Sequence, residues 1–319
     1  MSVYDCCMFL NENDVYEIKL NQHWDFVDKF IVLEAGETHT GLKKPFNFDK
    51  KRFEKYSDKL IYRTFDSFNK EIPQNLDLID RFTSQDRTHL GQTSDDWLRD
   101  NFQGNYLYKI LKEIHAKKDD IILVSCLDEI VSPGAFRRAL AIFEDKNQVY
   151  PLLSGHDWVP PAGHPHMRPI LNFKMDYYAY KFNLFHGNYA SALMTELSSF
   201  ERFLPSSLRA FGFHTHNSLE NGGWQFTFAD NTDGEKVFEK YRSWAHAKDI
   251  CPGKKTKFES ESKEEALQRF MSEYKLKKVD ISCETHPEYM VDNLEKFKDY
   301  IYSGPKLWTD LDELPRFKK

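Results

Sequence analysis

Two adjacent acidic residues, Asp128 and Glu129, come directly after a short apolar run, Ile121 to Leu127. A continuous apolar run of this length is typical of a strand buried on both faces of a sheet. Carboxylates are costly to bury there unless they face a cleft, a cation or a hydrogen-bond network. Because Mg²⁺ prefers oxygen ligands and often bridges a carboxylate to substrate phosphates, the pair indicates a nucleotide diphosphate site. The alternative is that one acid caps the helix that starts at Ser132-Pro133.

Two His-x-His pairs offer a different kind of site. His214 and His216 share one face if their segment is extended, and His164 and His166 repeat the spacing in a proline-rich stretch. Zinc needs a third ligand, which the sequence does not reveal at either pair. Because the chain has 12 histidines, coincidence is the better explanation for the spacing of these pairs. A metal-dependent phosphohydrolase that uses Asp128 and these pairs is an alternative function.

The elements around the acidic pair alternate between strands and helices. Phe30 to Ala35 and Leu60 to Phe65 predict strands, and residues 48–58 between them have helical composition. Asp95 to Lys117 is the clearest helix, with an apolar stripe and acids in its first turn. The order predicts an α/β fold, in which ligands bind beyond the carboxyl ends of the strands.

The later part of the chain differs in composition. Met175 to Phe185 and Tyr189 to Thr195 are aromatic-rich runs that predict paired strands. Helical spacing returns at Lys263 to Lys277 and at Pro287 to Tyr302. We therefore expect a first domain over residues 1–250 and a helical C-terminal extension over residues 251–319, packed on the same unit.

Composition narrows the function classes. The chain has 319 residues and a net charge of −6 without a long basic block, which argues against nucleic-acid binding. Its 26 phenylalanines, 16 tyrosines and 6 tryptophans are candidates for the core or for sugar-stacking surfaces. The five cysteines form no CxxC pair, and no stretch is apolar enough to span a membrane, so we expect a cytoplasmic protein without a membrane span.

Several short motifs occur in an order that resembles glycosyltransferase family 17, which includes β-1,4-mannosyl-glycoprotein β-1,4-N-acetylglucosaminyltransferases. The resemblance covers about residues 4–250 and is carried by Tyr4-Asp5-Cys6, Phe9, Asn11-Glu12, Val15 to Asn21, Val27 to Glu34, Thr40-Gly41, Trp97 to Asp100, Gln103, Asn105, Asp119 to Ile122, Leu127 to Ile130, Gly222 to Trp224 and Lys240 to His246. It implies a GT-A-like fold, a Rossmann-type mixed sheet flanked by helices, in which an Asp-x-Asp motif holds a divalent ion on the donor diphosphate.

This chain departs from the family pattern at two positions. Cys126 stands where the pattern Asp-x-Asp-Glu-Ile has its first aspartate, and a neutral thiol is a poor ligand for Mg²⁺. The resemblance implies Mn²⁺ or Mg²⁺ held by Asp128 and His246, but Cys126 leaves the metal requirement open. Gln225 stands where relatives usually carry histidine, a difference that bears on donor or acceptor choice.

The resemblance implies an inverting transfer in which Asp128 handles the leaving diphosphate and a second carboxylate deprotonates the acceptor. The candidates for that base are Glu129, Asp157, Glu196 and Glu220. We favour Asp157 and Glu220, because Trp158 and Trp224 lie near them in sequence and could stack on a sugar.

Donor binding is expected from four residues. Arg99 could reach phosphate or uracil, and Asn105 follows it on a similar side of the same helix. An exposed face with an i,i+4 partner is the equally weighted alternative for Arg99. Glu34 ends a predicted strand and could contact the nucleobase or ribose, and Asn11 is a weaker candidate.

Together these features predict an inverting glycosyltransferase that moves a sugar from a UDP-linked donor to a hydroxyl group of an oligosaccharide or polysaccharide. A non-catalytic glycan- or nucleotide-binding protein of the same fold is the other alternative, and the cysteine at position 126 favours it.

Overall fold

The computed structural model describes residues 1–79, 95–145, 169–201, 203–212, 218–232, 234–245 and 274–304. The strands in these ranges are β1 Val3–Phe9, β2 Lys29–Ala35, β3 Leu60–Phe65, β4 Ile121–Cys126, β5 Glu129–Val131, β6 Leu171–Ala179, β7 Leu184–Glu196, β8 Ser218–Thr227 and β9 Lys277–Lys278. The helices are α1 Asn13–His23, α2 Phe68–Gln74, α3 Asp95–Glu113, α4 Pro133–Glu144, α5 Pro205–Gly212, α6 Glu235–Ser243 and α7 Glu288–Asp292.

One mixed sheet runs through the described molecule in the order β3-β2-β1-β4-β7-β6-β8-β5, with β9 beside β7. The first four strands in this order are parallel. Their apolar residues feed two hydrophobic clusters, one on each face: Val15 and Ile18 of α1 belong to one, and Phe102 and Leu107 of α3 to the other. The predicted α/β class is confirmed, and so are the strands predicted before Glu129.

The second half of the sheet is built from the aromatic-rich runs. Strand β7 pairs antiparallel with β4 and with β6, and β6 then pairs in parallel with β8. Tyr178 of β6 stacks on Phe226 of β8 with ring centroids 5.4 Å apart. The prediction of paired strands is confirmed, but the run from Met175 to Phe185 is not one strand, because it contains the turn between β6 and β7.

Helix α4 has its own cap. The hydroxyl oxygen of Ser132 accepts a hydrogen bond from the backbone N–H of Ala135 at 3.2 Å, and Pro133 occupies the first turn. Because Ser132 caps the helix, neither Asp128 nor Glu129 does so. The capping alternative for the acidic pair is therefore wrong.

Two predicted helices are wrong as continuous elements. Residues 48–58 contain only the three-residue 3₁₀ helix Glu54–Tyr56. The Asp49 carboxylate accepts a hydrogen bond from the backbone N–H of Arg52 at 3.0 Å, the bond that a helix N-cap makes, but no α-helix follows it in these residues. The buried rings of Phe48 and Phe53, with centroids 4.8 Å apart, then anchor the segment in the core.

In residues 287–302, α7 ends at Asp292 and a second short 3₁₀ helix covers Lys298–Tyr300. Met290, Phe297 and Tyr300 all reach the core, so the apolar spacing looks helical although separate turns produce it. The helix predicted over 263–277 lies outside the described residues except at its end, where Lys277 is in β9.

The C-terminal segment 274–304 is joined to the first helix. The hydroxyl group of Tyr289 and the ammonium group of Lys296 donate to the Glu17 carboxylate at 2.7 and 2.6 Å. The division into domains at residue 250 stays a prediction. In the described ranges, no helix combines the length and the apolar character that crossing a membrane requires.

Candidate functional site

The site forms at the carboxyl ends of β1 and β4, which lie side by side in the sheet. Asp128 follows β4, and its carbonyl accepts a hydrogen bond from the backbone N–H of Phe226 in β8 at 2.9 Å. Lys240 comes from α6, and its ammonium group lies 2.9 Å from Oδ2 of Asp128 and 3.4 Å from Oε1 of Glu12. Three elements that are far apart in sequence therefore converge on one ion cluster.

Asp128 has a spare acceptor. Its Oδ1 is buried and has no hydrogen-bond partner among the described residues. Burial raises the pKa of this carboxyl group, the charges of Glu129 and Glu12 add to the increase, and Lys240 opposes it without cancelling it. A buried acceptor without a partner costs about 1–3 kcal/mol, so this oxygen marks a position where a ligand with a donor group would be stabilised.

Lys240 stays charged. Burial by itself lowers the pKa of the amine, but Asp128 and Glu12 outweigh burial and raise it above the ordinary value. The side chain is still 20% exposed. The site therefore contains an ammonium group that Asp128 and Glu12 hold in place. Solvent reaches this group, so a ligand can reach it too.

A second ion pair lies beside the first. Both guanidinium NH groups of Arg209, from α5, donate to the Glu129 carboxylate at 2.9 Å, and one of them also lies 3.3 Å from Sγ of Cys126. Burial alone raises the pKa of Glu129, but the charge and hydrogen bonds of Arg209 outweigh it and lower the pKa. Burial also raises the pKa of the Cys126 thiol, and Glu129 adds to the increase, so Cys126 is a neutral thiol.

A buried lysine of α1 forms hydrogen bonds to the last two residues of β4. Lys19 of α1 is fully buried, lies 3.4 Å from the Asp5 carboxylate, and donates to the hydroxyl group of Ser125 and to the carbonyl of Cys126. His23, one turn later, lies 2.7 Å from the other Asp5 oxygen. This network fixes the backbone from which Asp128 projects.

The loop after β2 closes one side of the site. Glu34 is fully buried, and its carboxylate accepts from Lys44 Nζ, the backbone N–H groups of Asn47 and Phe48, and Tyr62 OH, at 2.6 to 3.2 Å. It holds the loop, and every one of these bonds is internal. The structure therefore places Glu34 as a support for the loop and not at an open ligand surface.

Arg99 joins the same loop to α3. Its guanidinium group donates to the carbonyl of His39 at 3.0 Å and lies 3.3 Å from Asp96. The His39 ring lies 3.2 Å from Asp100 and 3.0 Å from the Gln103 side chain. The loop is also tied to α6, because the backbone N–H of His39 donates to the carbonyl of Ser243.

The two asparagines predicted to bind the donor have protein partners. The Asn105 side chain is fully buried, donating to the carbonyl of Leu78 and accepting from the backbone N–H of Ser206, both at 2.9 Å. Asn11 lies at the site, where its amide donates to Glu239 of α6 at 2.7 Å. Asn105 thus has a packing role, whereas Asn11 borders the cluster of Lys240 and Glu12.

Comparison with known proteins assigns the first part of the chain. Residues 1–139 match the model of glycosyltransferase family 17. This part of the chain is therefore similar to glycosyltransferase family 17. The match makes the protein a glycosyltransferase by class, and it covers β1 to β5 with Glu12, Cys126 and Asp128. Arg209 and Lys240 lie beyond it. No curated protein matches the chain.

The match to family 17 ends before the later motifs. Two of the acids that are candidates for the catalytic base lie elsewhere in the fold. Glu220 is at the start of β8 with its side chain 69% exposed beside Lys174. Gln225, which pairs with Glu129, follows five residues later, about 16 Å along an extended strand. Glu196 pairs with Ile121 at the opposite end of β4 from Cys126. The structure therefore brings neither acid to Asp128.

Trp224 is placed in the core. Its residue is only 9% exposed, and its indole N–H donates to the carbonyl of Thr285 at 2.8 Å. The ring joins the C-terminal segment to the sheet, which leaves little of its face for a sugar. A second aromatic pair is formed by Tyr177 of β6 and Tyr189 of β7, with ring centroids 6.3 Å apart.

Tyr177, Tyr189 and Gln225 were not predicted to act as a group. Tyr189 is 48% exposed, and the charges of Glu129 and Arg209 affect its pKa, which burial raises. Tyr177 pairs in register with Gln225, whose side-chain oxygen is buried without a partner in the described ranges. The signal available in the sequence was the aromatic density of β6 and β7, but which rings face the site depends on strand register.

Lys19 and Arg209 were also missed. Lys19 is a charged residue within a run of buried α1 residues, Val15 to Leu20, and this interruption was the available signal. Arg209 follows an ordinary helix start at Pro205, so nothing local distinguished it. Asp157, Trp158, His246 and the two His-x-His pairs lie outside the described residues.

The divalent ion implied by the family pattern fits the described residues poorly. Asp128 offers one free oxygen, whereas its other oxygen is held by an ammonium group. At the position of the first aspartate, the chain has a neutral thiol beside a guanidinium group. Within the part of the chain that the structure describes, there is no cluster of three or more metal-binding side chains.

Proposed function

We propose that this chain is an inverting glycosyltransferase that transfers a sugar from a UDP-linked donor to a hydroxyl group of an oligosaccharide or polysaccharide. The observation that carries the proposal is the position of Asp128, Glu12 and Lys240 at the carboxyl ends of β1 and β4, where the two acids belong to the part of the chain that matches family 17. Ligands of open α/β sheets bind at this edge.

A GT-A-like fold is part of the proposal. It is supported by the parallel order β3-β2-β1-β4, with helices on both faces, followed by strands that run both ways. In such an arrangement the nucleotide lies over the parallel strands, bordered by the loop that Glu34 and Arg99 hold in place. The sugar then lies towards β6 to β8, where Tyr177 and Tyr189 offer aromatic faces.

The residues around Asp128 suit the departure of a nucleoside diphosphate. A charged amine beside the leaving group stabilises the negative charge that develops as the bond to the sugar breaks. Of the described candidates for the base, Glu129 is held by Arg209, and Glu220 is remote. We therefore propose that Asp157 deprotonates the acceptor, and that Asp128 with its free oxygen orients the donor beside the leaving diphosphate.

Release of UDP tests this proposal. The purified chain is incubated with UDP-GlcNAc, UDP-glucose and UDP-galactose, with and without oligosaccharide acceptors, in the presence and in the absence of Mn²⁺. We expect sugar-dependent UDP release that Asp128→Asn abolishes. Asp119→Asn is the matched control, because Asp119 is an exposed acid just before β4 and should leave the rate unchanged.

Binding of UDP without turnover under any of these conditions would contradict the enzymatic proposal and would favour a binding protein of the same fold. Release of phosphate from simple phosphoesters, sensitive to chelators, would instead favour the phosphohydrolase.

A further inference from the structure

We propose that the ammonium group of Lys240, backed by the charge of Arg209, takes the place of a divalent metal ion at the donor diphosphate, so that this glycosyltransferase binds its nucleotide without metal. The inference rests on the proposed function, because it concerns the same site and the same donor. It makes a separate claim, which is about the source of the positive charge.

The first step concerns the position of the missing aspartate. Cys126 puts Sγ within 3.3 Å of the Arg209 guanidinium group, which is itself fixed by two bonds to Glu129. A hard divalent ion prefers oxygen ligands, and here it would meet a neutral thiol and a fixed positive charge. This position therefore holds a neutral thiol and a positive charge, which are both unsuited to bind a hard divalent ion.

The second step concerns Asp128. One of its oxygens is bonded to the ammonium group of Lys240 at 2.9 Å, and Glu12 lies on the other side of the same nitrogen at 3.4 Å. A divalent ion on the remaining oxygen would share a single carboxylate with that ammonium group and would be repelled by it. The cation that two carboxylates would otherwise attract is already supplied by the chain.

The third step concerns the phosphate. An ammonium group has three N–H donors, and Asp128 and Glu12 account for two at Lys240, whose side chain keeps 20% of its surface exposed. Within the part of the chain that the structure describes, one N–H donor is therefore left for a phosphate oxygen. Such a charge-assisted bond is among the stronger hydrogen bonds in proteins, and Lys240 would contact the diphosphate directly.

The position of Lys240 is also well defined. Helix α6 is tied to the loop after β2 by bonds from the backbone N–H of His39 to the carbonyl of Ser243 at 3.0 Å and from the Thr40 hydroxyl to the carbonyl of Arg242 at 2.7 Å. Helix α6, which carries the ammonium group to the strand ends, is therefore anchored beside the expected nucleotide position. Such anchoring is needed to hold a binding group in a fixed position.

Calorimetric titration with UDP, and with GDP as a second probe, separates the two proposals. We expect the same dissociation constant for UDP in excess EDTA and in excess Mn²⁺. We expect Lys240→Met to weaken binding about tenfold or more, as removal of a charge-assisted hydrogen bond predicts, and Lys240→Arg to restore most of the affinity. Lys236→Met is the matched control, because Lys236 lies one turn earlier on α6 and contacts Tyr300.

Binding that occurs only with Mn²⁺ would overturn the inference and leave the proposed function standing. So would a Lys240→Met variant that is folded by circular dichroism and binds UDP as tightly as the parent. Absence of nucleotide binding under both conditions would instead count against the proposed function itself. The comparison of EDTA with Mn²⁺ uses the unaltered protein, so it decides the question even if the variants fail to fold.

Discussion

At the scale of single residues, Asp128 and Glu129 are neighbours in opposite electrostatic states. Glu129 is held by both arms of Arg209, and its pKa is lowered although burial alone would raise it. The pKa of Asp128 is raised by burial and by its acidic neighbours, and one of its oxygens has no partner among the described residues. Glu129 is thereby a structural anchor, and Asp128 is the acid that remains available to a ligand.

The Arg209–Glu129 pair should be costly to break. We expect Arg209→Gln to lower the free energy of unfolding by about 3–5 kcal/mol, because it leaves the Glu129 carboxylate, only 2% exposed, without its charged partner. Urea unfolding at neutral pH measures this. The double variant Arg209→Gln/Glu129→Gln should lose less than the sum of the two single variants. A strictly additive result would mean that the two side chains do not stabilise each other.

At the scale of elements, the pairing of β5 with β8 depends on Gly223. Its φ angle is +134°, which disfavours any other residue, and a Cβ atom there would overlap the carbonyl oxygen of Ile130 in β5. The Gly-Gly-Trp motif that resembled the family thus has a packing reason. It lets the backbone of β5 approach β8 closely where the two strands pair in the sheet.

Replacement of this glycine should therefore destabilise the fold. We expect Gly223→Ala to cost more than about 2 kcal/mol, since it combines overpacking with an unfavourable φ angle. Gly187→Ala is the control, because a Cβ atom at Gly187 in β7 would meet no atom within 4 Å. Thermal and urea unfolding of both variants provide the comparison. Equal stability of the two would show that the backbone at Gly223 adapts freely.

The elements themselves could largely be predicted from the sequence where a pattern repeats. The apolar run before Asp128 and the stripe of α3 gave the central strand and its covering helix. Residues 48–58 were misjudged because the packing of Phe48 and Phe53 in the core outweighs the helical composition there. Local composition cannot reveal contacts of that kind.

At the scale of the whole molecule, the C-terminal segment gives the protein a specific acid sensitivity. Burial lowers the pKa of His286 to about 4, with a hydrogen bond to the carbonyl of Phe182 acting against it. The unfolded chain takes up this proton near the ordinary value of 6.5. Between these two values the unfolded state binds more protons, so the free energy of unfolding decreases as the pH falls.

We expect His286→Gln to remove this contribution, which is at most about 1.4 kcal/mol per pH unit for one group. The measurement is urea unfolding of both proteins from pH 7 down to pH 4. The wild-type protein should lose stability more steeply than the variant below about pH 6.5, and the two slopes should agree above it. Parallel curves over the whole range would contradict the buried, neutral state of His286.

The candidate site was predictable only in part, for a reason that belongs to the whole molecule. Asp128 follows a strand, so its position could be derived from local pattern alone. Lys240 reaches Asp128, and Arg209 reaches Glu129, from helices 112 and 80 residues away in sequence. Trp224 and Asn105 have residue types suited to ligand binding, but the packing of distant segments turns both inward. Contacts between residues that are distant in sequence decide such roles, and these contacts cannot be predicted from local patterns in a single sequence.

The contacts of Glu17 also bear on how the protein is made. This residue lies in the first helix, and its partners Tyr289 and Lys296 follow 272 and 279 positions later. Strand β4 likewise waits for β7 before both of its edges are paired. Since a ribosome delivers the chain from its N-terminus, the part that matches the family emerges long before its partners do. We expect β4 of the nascent chain to keep one unpaired edge until β7 has emerged, and folding to finish only after the segment 274–304 has emerged.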